Sequence, residues 1–117
     1  MIASTSRNSP LRLLLLENVS QKAVDTFRAR DIYVDHFSDS MSEEQLIRRI
    51  GAYHGVGIRS KTRITARVLQ SAPKLQFVAC FCIGTNQVDV ETCSLLGIPV
   101  FNSPFSNSRS VAELLVA

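Results

Sequence analysis

The sequence carries no Walker A loop and no glycine fingerprint of the kind that opens a helix directly after a strand. Gly51, Gly55 and Gly57 are spaced differently and read as preceding a strand. A self-contained cradle for nucleotide phosphates is therefore excluded. No apolar run approaches the ~20 residues of a membrane-spanning helix; Leu13 to Leu16 is a run of strand length. The 13 Lys and Arg against 10 Asp and Glu leave a formal charge of +3. That excess is scattered as isolated arginines, not gathered in a stripe, which argues against a nucleic-acid partner. No acidic cluster stands at a strand end, so a phosphate-accepting receiver is excluded too. The three cysteines, Cys80, Cys82 and Cys93, are an odd set, and the spacing of the first two is wrong for a zinc knuckle. No metal is expected. Free, buried thiols in a reducing, cytoplasmic setting are expected instead. The sequon Asn18-Val19-Ser20 has no other sign of secretion beside it, and there are no internal repeats or low-complexity tracts.

What is present is an alternation of apolar strand-like runs with amphipathic helical segments. Leu11 to Glu17 reads as a buried strand. Ser20 then caps a helix to about Arg30, with Ala23, Val24 and Phe27 on one face and Val19 and Val24 as a staple around the cap. Ile32 to Phe37 alternates as a second strand. Ser42-Glu43-Glu44-Gln45 is a capping box with Met41 and Leu46 as its staple, and Leu46, Ile47, Ile50 and Tyr53 form a buried stripe. Gly51 weakens that helix near its end, and Gly55 is placed to help close it. Val56 to Arg59 is a third strand. Thr65 caps the next helix, Pro73 ends it, and Arg63 and Arg67 are expected on its exposed face.

Leu75 to Cys82 is almost entirely apolar, as a strand covered on both faces must be. Asp89 caps a short helix that Gly97 terminates, and Val100 to Asn102 is a fifth strand. Ser110-Val111-Ala112-Glu113 is another capping box, and the chain ends at Ala117 within the helix it opens. The implied fold is α/β: a parallel sheet of about five strands with helices on both faces and right-handed crossovers. Residues 1–10, polar and without a helical stripe, are expected to form a disordered tail.

In a parallel sheet all strands point one way, so the loops that follow them gather at one edge, where open α/β sheets bind ligands. Three loops there carry candidate chemistry. Arg59-Ser60-Lys61-Thr62 offers a forked guanidinium, a point charge, hydroxyls and free backbone N–H groups to an anion; the competing reading is a solvated cationic turn. Ile83-Gly84-Thr85-Asn86 allows close approach of backbone N–H groups to a carboxylate, and Asn86 and Gln87 can orient a ligand or tie loops together. Read alone, it is a tight strand-to-helix turn. Asn102 to Arg109 is dense in hydrogen-bonding groups and, read alone, is a capped loop. His36 and His54 have no acid or nucleophile at an informative spacing and read as structural. Glu113 reads as a capping acid.

The segments Gly57 to Thr62, Cys80 to Asp89 and Phe101 to Leu114 together resemble the D-isomer-specific 2-hydroxyacid dehydrogenases, with matching order and spacing from about Leu11 to Ala117. The likeness is strongest to the branch that oxidises 3-phosphoglycerate to 3-phosphohydroxypyruvate with NAD in L-serine biosynthesis. It implies a flavodoxin-like substrate-binding domain built from two chain segments, with an NAD-binding Rossmann domain inserted between them. Residues 11–109 would be its first segment, and 110–117 the start of the helix crossing to the Rossmann domain.

By that resemblance Arg59 and Ser60 contact a substrate phosphate, and Lys61 fills a basic position beside them. Gly84 meets the substrate carboxylate, Thr85 the nicotinamide side of NAD, and Asn107 lies near the phosphate. The family's catalytic Arg, Glu and His have no counterpart in these 117 residues, so no catalytic residue is assigned and the segment alone is expected to be inactive. A homo-oligomer is implied for the full-length enzyme. Another D-2-hydroxyacid dehydrogenase, or a non-catalytic corepressor-like module on the same fold, is the alternative.

Overall fold

The computed structural model describes residues 11–19, 21–82 and 84–102. Five strands form one sheet: β1 (Arg12–Leu15), β2 (Tyr33–His36), β3 (Gly55–Ile58), β4 (Phe77–Cys80) and β5 (Val100–Asn102). All pairings are parallel, in the order β2-β1-β3-β4-β5. Between them run α1 (Gln21–Arg28), α2 (Glu43–Arg49), α3 (Ala66–Gln70) and α4 (Val90–Leu96). The expected strands are all present: β1, β2 and β4 are shorter than expected, β3 is shifted one residue toward the N-terminus, and β5 has the expected bounds.

The leucine run shows why this sheet is covered on both sides. Successive strand residues point to opposite faces. Leu13 and Leu15 join Val24 and Phe27 of α1 and the rings of Phe77 and Phe81 on one face. Leu14 and Leu16 join Leu46, Ile50, Val68, Leu69 and Cys93, contributed by α2, α3, α4 and their connections, on the other. All four leucines are buried, and burying each such side chain is worth ~1.5–3 kcal/mol.

The caps read from sequence are in place where described. Ser42 Oγ accepts from the Gln45 N–H while the Gln45 side chain accepts from the Ser42 N–H, completing the capping box of α2. Thr65 and Asp89 cap α3 and α4, and Gly97, with φ 73°, closes α4 in the left-handed region. Ser20 and the 103–117 segment, with its capping box, lie outside the described residues.

Gly55 corrects the sequence reading. It does not close α2, which runs instead into a 3-10 turn at Ile50–Ala52. Gly55 and Gly57 both lie inside β3, because the Phe77 and Phe81 rings cross over them. A Cβ at Gly55 would sit 2.2 Å from the Phe77 ring, and one at Gly57 would sit 2.5 Å from a Leu15 methyl.

Candidate functional site

The strand order places β2 and β3 on either side of β1, so the chain reverses its direction of travel at β1 and β3. Ligands in this topology sit outside the carboxyl ends of the strands at that switch point. Four connections and one strand end reach this edge: Glu17 after β1, Ser38 to Ser40 after β2, Arg59 to Thr62 after β3, Cys82 and Gly84 to Gln87 after β4, and Asn102 ending β5.

A cavity of about 600 Å³ opens there, lined by Arg59, Ser60, Arg63, Phe81, Cys82, Gly84, Asn86 and Gln87. It brings the loops after β3 and β4 together, with Arg59, Ser60 and Gly84 on one surface. Among the described residues neither Arg59 nor Arg63 is ion-paired with a carboxylate, although Arg59 also borders a hollow with Glu17 and Asp39, and Arg63 one with Glu43. Arg63, expected on the exposed face of α3, instead precedes the Thr65 cap and faces this cavity.

Lys61 is turned elsewhere. With Glu17, Ser38, Asp39 and Ser40 it lines a neighbouring hollow of about 550 Å³ that Arg59 and Ser60 also border, and with Glu43, Arg63 and Thr65 it lines another. Thr85 is half-buried and is not among the cavity's described lining residues. Asn107 lies outside the described residues.

The loops are tied to one another from within. The Gln87 side-chain amide donates to the Arg59 carbonyl at 2.6 Å and to Cys82 Sγ at 2.9 Å. The Cys82 thiol donates to the Gly84 carbonyl at 3.1 Å, and Asn102 donates to the Cys82 carbonyl at 2.5 Å. The Ile64 N–H reaches the Gln87 carbonyl, and the Asp89 N–H the Ile64 carbonyl, both at 2.9 Å. Gln87 therefore ties loops, one of the two roles its position allowed.

Of the free backbone N–H groups expected after β3, those of Arg59, Lys61 and Thr62 are not free. Glu17 Oε2 accepts from Arg59 N and Thr62 N, both at 2.9 Å, and Oε1 accepts from Lys61 N at 2.8 Å. The Glu17 side chain was not singled out from sequence. Its signal is an acid directly at the end of a fully buried leucine strand, where burial requires a partner. Burial pushes its carboxyl upward, but the N–H bonds from Lys61, Thr62 and Arg59 outweigh this and hold it below the ordinary value.

The thiols divide into two kinds. Cys80 and Cys93 are buried and free; burial, with the neighbouring Cys82, Cys93 and Glu17 as smaller contributions, pushes Cys80 up to about 12. Cys82 is only half-buried and lines the cavity, contrary to the expectation that all three are interior. Among the described residues no cluster could hold a metal ion, and no helix is long and apolar enough to cross a membrane.

The histidines lie away from this cavity. His54 Nδ1 accepts from the Arg12 N–H at 3.0 Å. Its imidazole is held below the ordinary value by burial and then by the charges of Lys74 and Arg12.

The family model described as D-isomer specific 2-hydroxyacid dehydrogenase, catalytic domain, matches residues 13–116. The chain is 54% identical over 107 residues to D-3-phosphoglycerate dehydrogenase 1 of Saccharomyces cerevisiae, covering 92% of this chain and 23% of that one. It is 46% identical over 107 residues to D-3-phosphoglycerate dehydrogenase of Escherichia coli, covering 91% and 26%. The chain thus spans about a quarter of the length of these relatives. Among solved structures, the TT0316 protein of Thermus thermophilus matches with a TM-score of 0.74 at 28% identity, over 91% of this chain and 34% of the other. The NAD+-bound 3-phosphoglycerate dehydrogenase of Entamoeba histolytica shares the fold, with a TM-score of 0.71 at 23% identity over 92% and 37%.

Proposed function

The chain belongs to the D-isomer specific 2-hydroxyacid dehydrogenase family, and from that premise we propose that it supplies the substrate-gripping part of an NAD-dependent enzyme. That enzyme oxidises 3-phosphoglycerate to 3-phosphohydroxypyruvate on the route to L-serine. The observation that carries this reading is the cavity in which Arg59, Ser60 and Arg63 face Gly84, with no acid among its described lining residues. A small acid bearing a phosphate at one end and a carboxylate at the other suits such a surface. Arg59 provides the bidentate fork and Ser60 a hydroxyl for the phosphate, while the turn at Gly84 allows a carboxylate to approach the backbone. Arg63 adds a second cation to the phosphate end. Lys61 raises the local positive potential from the adjoining hollow without entering the cavity. Asn107 is assigned to the phosphate by family resemblance alone.

For NAD the chain's own residues offer one flank and no more. The turn at Gly84 and Thr85 is suited to the nicotinamide side, but no glycine fingerprint follows any of the five strands, so the dinucleotide phosphates find no cradle in this sequence. NAD, where held, accepts the hydride; these residues hold and orient the hydroxy acid.

The test is Arg59→Ala in the catalytically complete protein. A charge-assisted pair of ~1.5–3 kcal/mol corresponds to a rise in KM for 3-phosphoglycerate of about 10- to 150-fold. KM for an unphosphorylated 2-hydroxy acid such as glycerate should change far less. Equal effects on both substrates would defeat the phosphate assignment and favour another D-2-hydroxy acid.

A further inference from the structure

Glu17 sits at the switch point of the sheet, where this topology places ligands. Both carboxylate oxygens are used: Oε2 by Arg59 N and Thr62 N, and Oε1 by Lys61 N. The residue is 8% exposed. Its own backbone is in the left-handed region, φ 63°, as is that of Asn18, φ 53°, a conformation that non-glycine residues keep only when the surroundings enforce it. Two strand-edge bonds do so here: Glu17 N donates to the Asp39 carbonyl at 3.1 Å and Asn18 N to the Phe37 carbonyl at 3.0 Å. The turn after β3 is thus wrapped around a carboxylate of the chain itself.

We infer that Glu17 is a positioning residue for substrate recognition. By collecting the N–H groups of Arg59, Lys61 and Thr62 it occupies the anion position of that turn. Recognition is thereby left to the Arg59 and Ser60 side chains, which face the cavity. The inference rests on the phosphate reading above and adds a reason for the loop's geometry. An anion arriving at this edge meets a filled backbone site and is directed to the guanidinium. Glutamine cannot substitute fully, because its amide nitrogen would oppose one of the N–H donors.

Three variants in the catalytically complete protein test this: Glu17→Gln, Arg59→Ala, and Ser42→Ala as a destabilising control at the cap of α2. If the inference holds, Glu17→Gln raises KM for 3-phosphoglycerate at least tenfold, with kcat and KM for NAD within twofold, and Ser42→Ala leaves all three within twofold. Should Arg59→Ala raise KM while Glu17→Gln does not, the inference is overturned and the phosphate reading survives. Should Arg59→Ala leave KM unchanged, the reading beneath it falls.

If Glu17→Gln does not fold, the amide proton shifts of Arg59, Lys61 and Thr62 in the wild-type protein decide. The ionisable groups facing Glu17 are Asp39, Arg59, Lys61 and Cys80, of which only Asp39 is also a carboxylate. All three amides should therefore move together with one acid midpoint that persists in Asp39→Asn. Three unrelated titrations, or loss of the midpoint in Asp39→Asn, would overturn the inference.

Discussion

At the scale of single residues, Glu17 has a consequence for acid stability. Its carboxyl is held below its ordinary value of 4.5 by N–H bonds that outweigh the opposing pull of burial. A depressed carboxylate contributes stability that is fully present above its unfolded value and is lost as pH falls through the lower folded one. The difference in melting temperature between wild type and Glu17→Gln should therefore be constant above pH ~5 and shrink toward zero in stronger acid. Thermal melts followed by circular dichroism across that range check it, and a difference that grows on acidification would contradict it. Arg63 makes a related point: two positions ahead of the Thr65 cap it lies outside the helix, and though exposed it borders the cavity.

At the scale of elements, β3 is constrained more tightly than its composition suggests. Its two glycines are required by close approach of neighbouring side chains, not by a turn. Gly55→Ala should destabilise by ~1–3 kcal/mol through overpacking against the Phe77 ring, read as a lower denaturant midpoint. A neutral result would mean that the ring moves aside freely. The opposite end of the sheet has its own lock: the Arg12 guanidinium lies 4.7 Å from the Tyr33 ring centre and 5.5 Å from that of Tyr53, and the Tyr53 hydroxyl donates to Asp35. That cluster fastens the starts of β1, β2 and β3, while Glu17 and Gln87 fasten the loops beyond their ends.

At the scale of the whole molecule, recognition and chemistry separate. Under the proposed function, hydride transfer needs a positioned nicotinamide and an acid/base group for the hydroxyl proton, and no residue of this chain is assigned the acid/base role or more than one flank of the nicotinamide. The 117-residue chain should show no NAD reduction with 3-phosphoglycerate in an absorbance assay. Isothermal titration should still detect 3-phosphoglycerate in preference to glycerate, since the lining of the cavity comes from this chain. Turnover by the 117 residues alone would refute the separation.

The alternation of strands and helices, the capping box at Ser42, the caps at Thr65 and Asp89 and the stop at Gly97 were all legible in the sequence. Each depends on residues within a few positions of one another, and local periodicity and capping record such relations directly. The parallel sheet followed from that alternation, and so did the edge at which Arg59, Ser60 and Gly84 now line one cavity. Only the tertiary structure decided what lies beneath that edge. Glu17 is 42 to 45 residues from the N–H groups it holds, and Phe77 presses on Gly55 across the pairing of β3 with β4. Such partners are chosen by strand order and register, so no local pattern announces them.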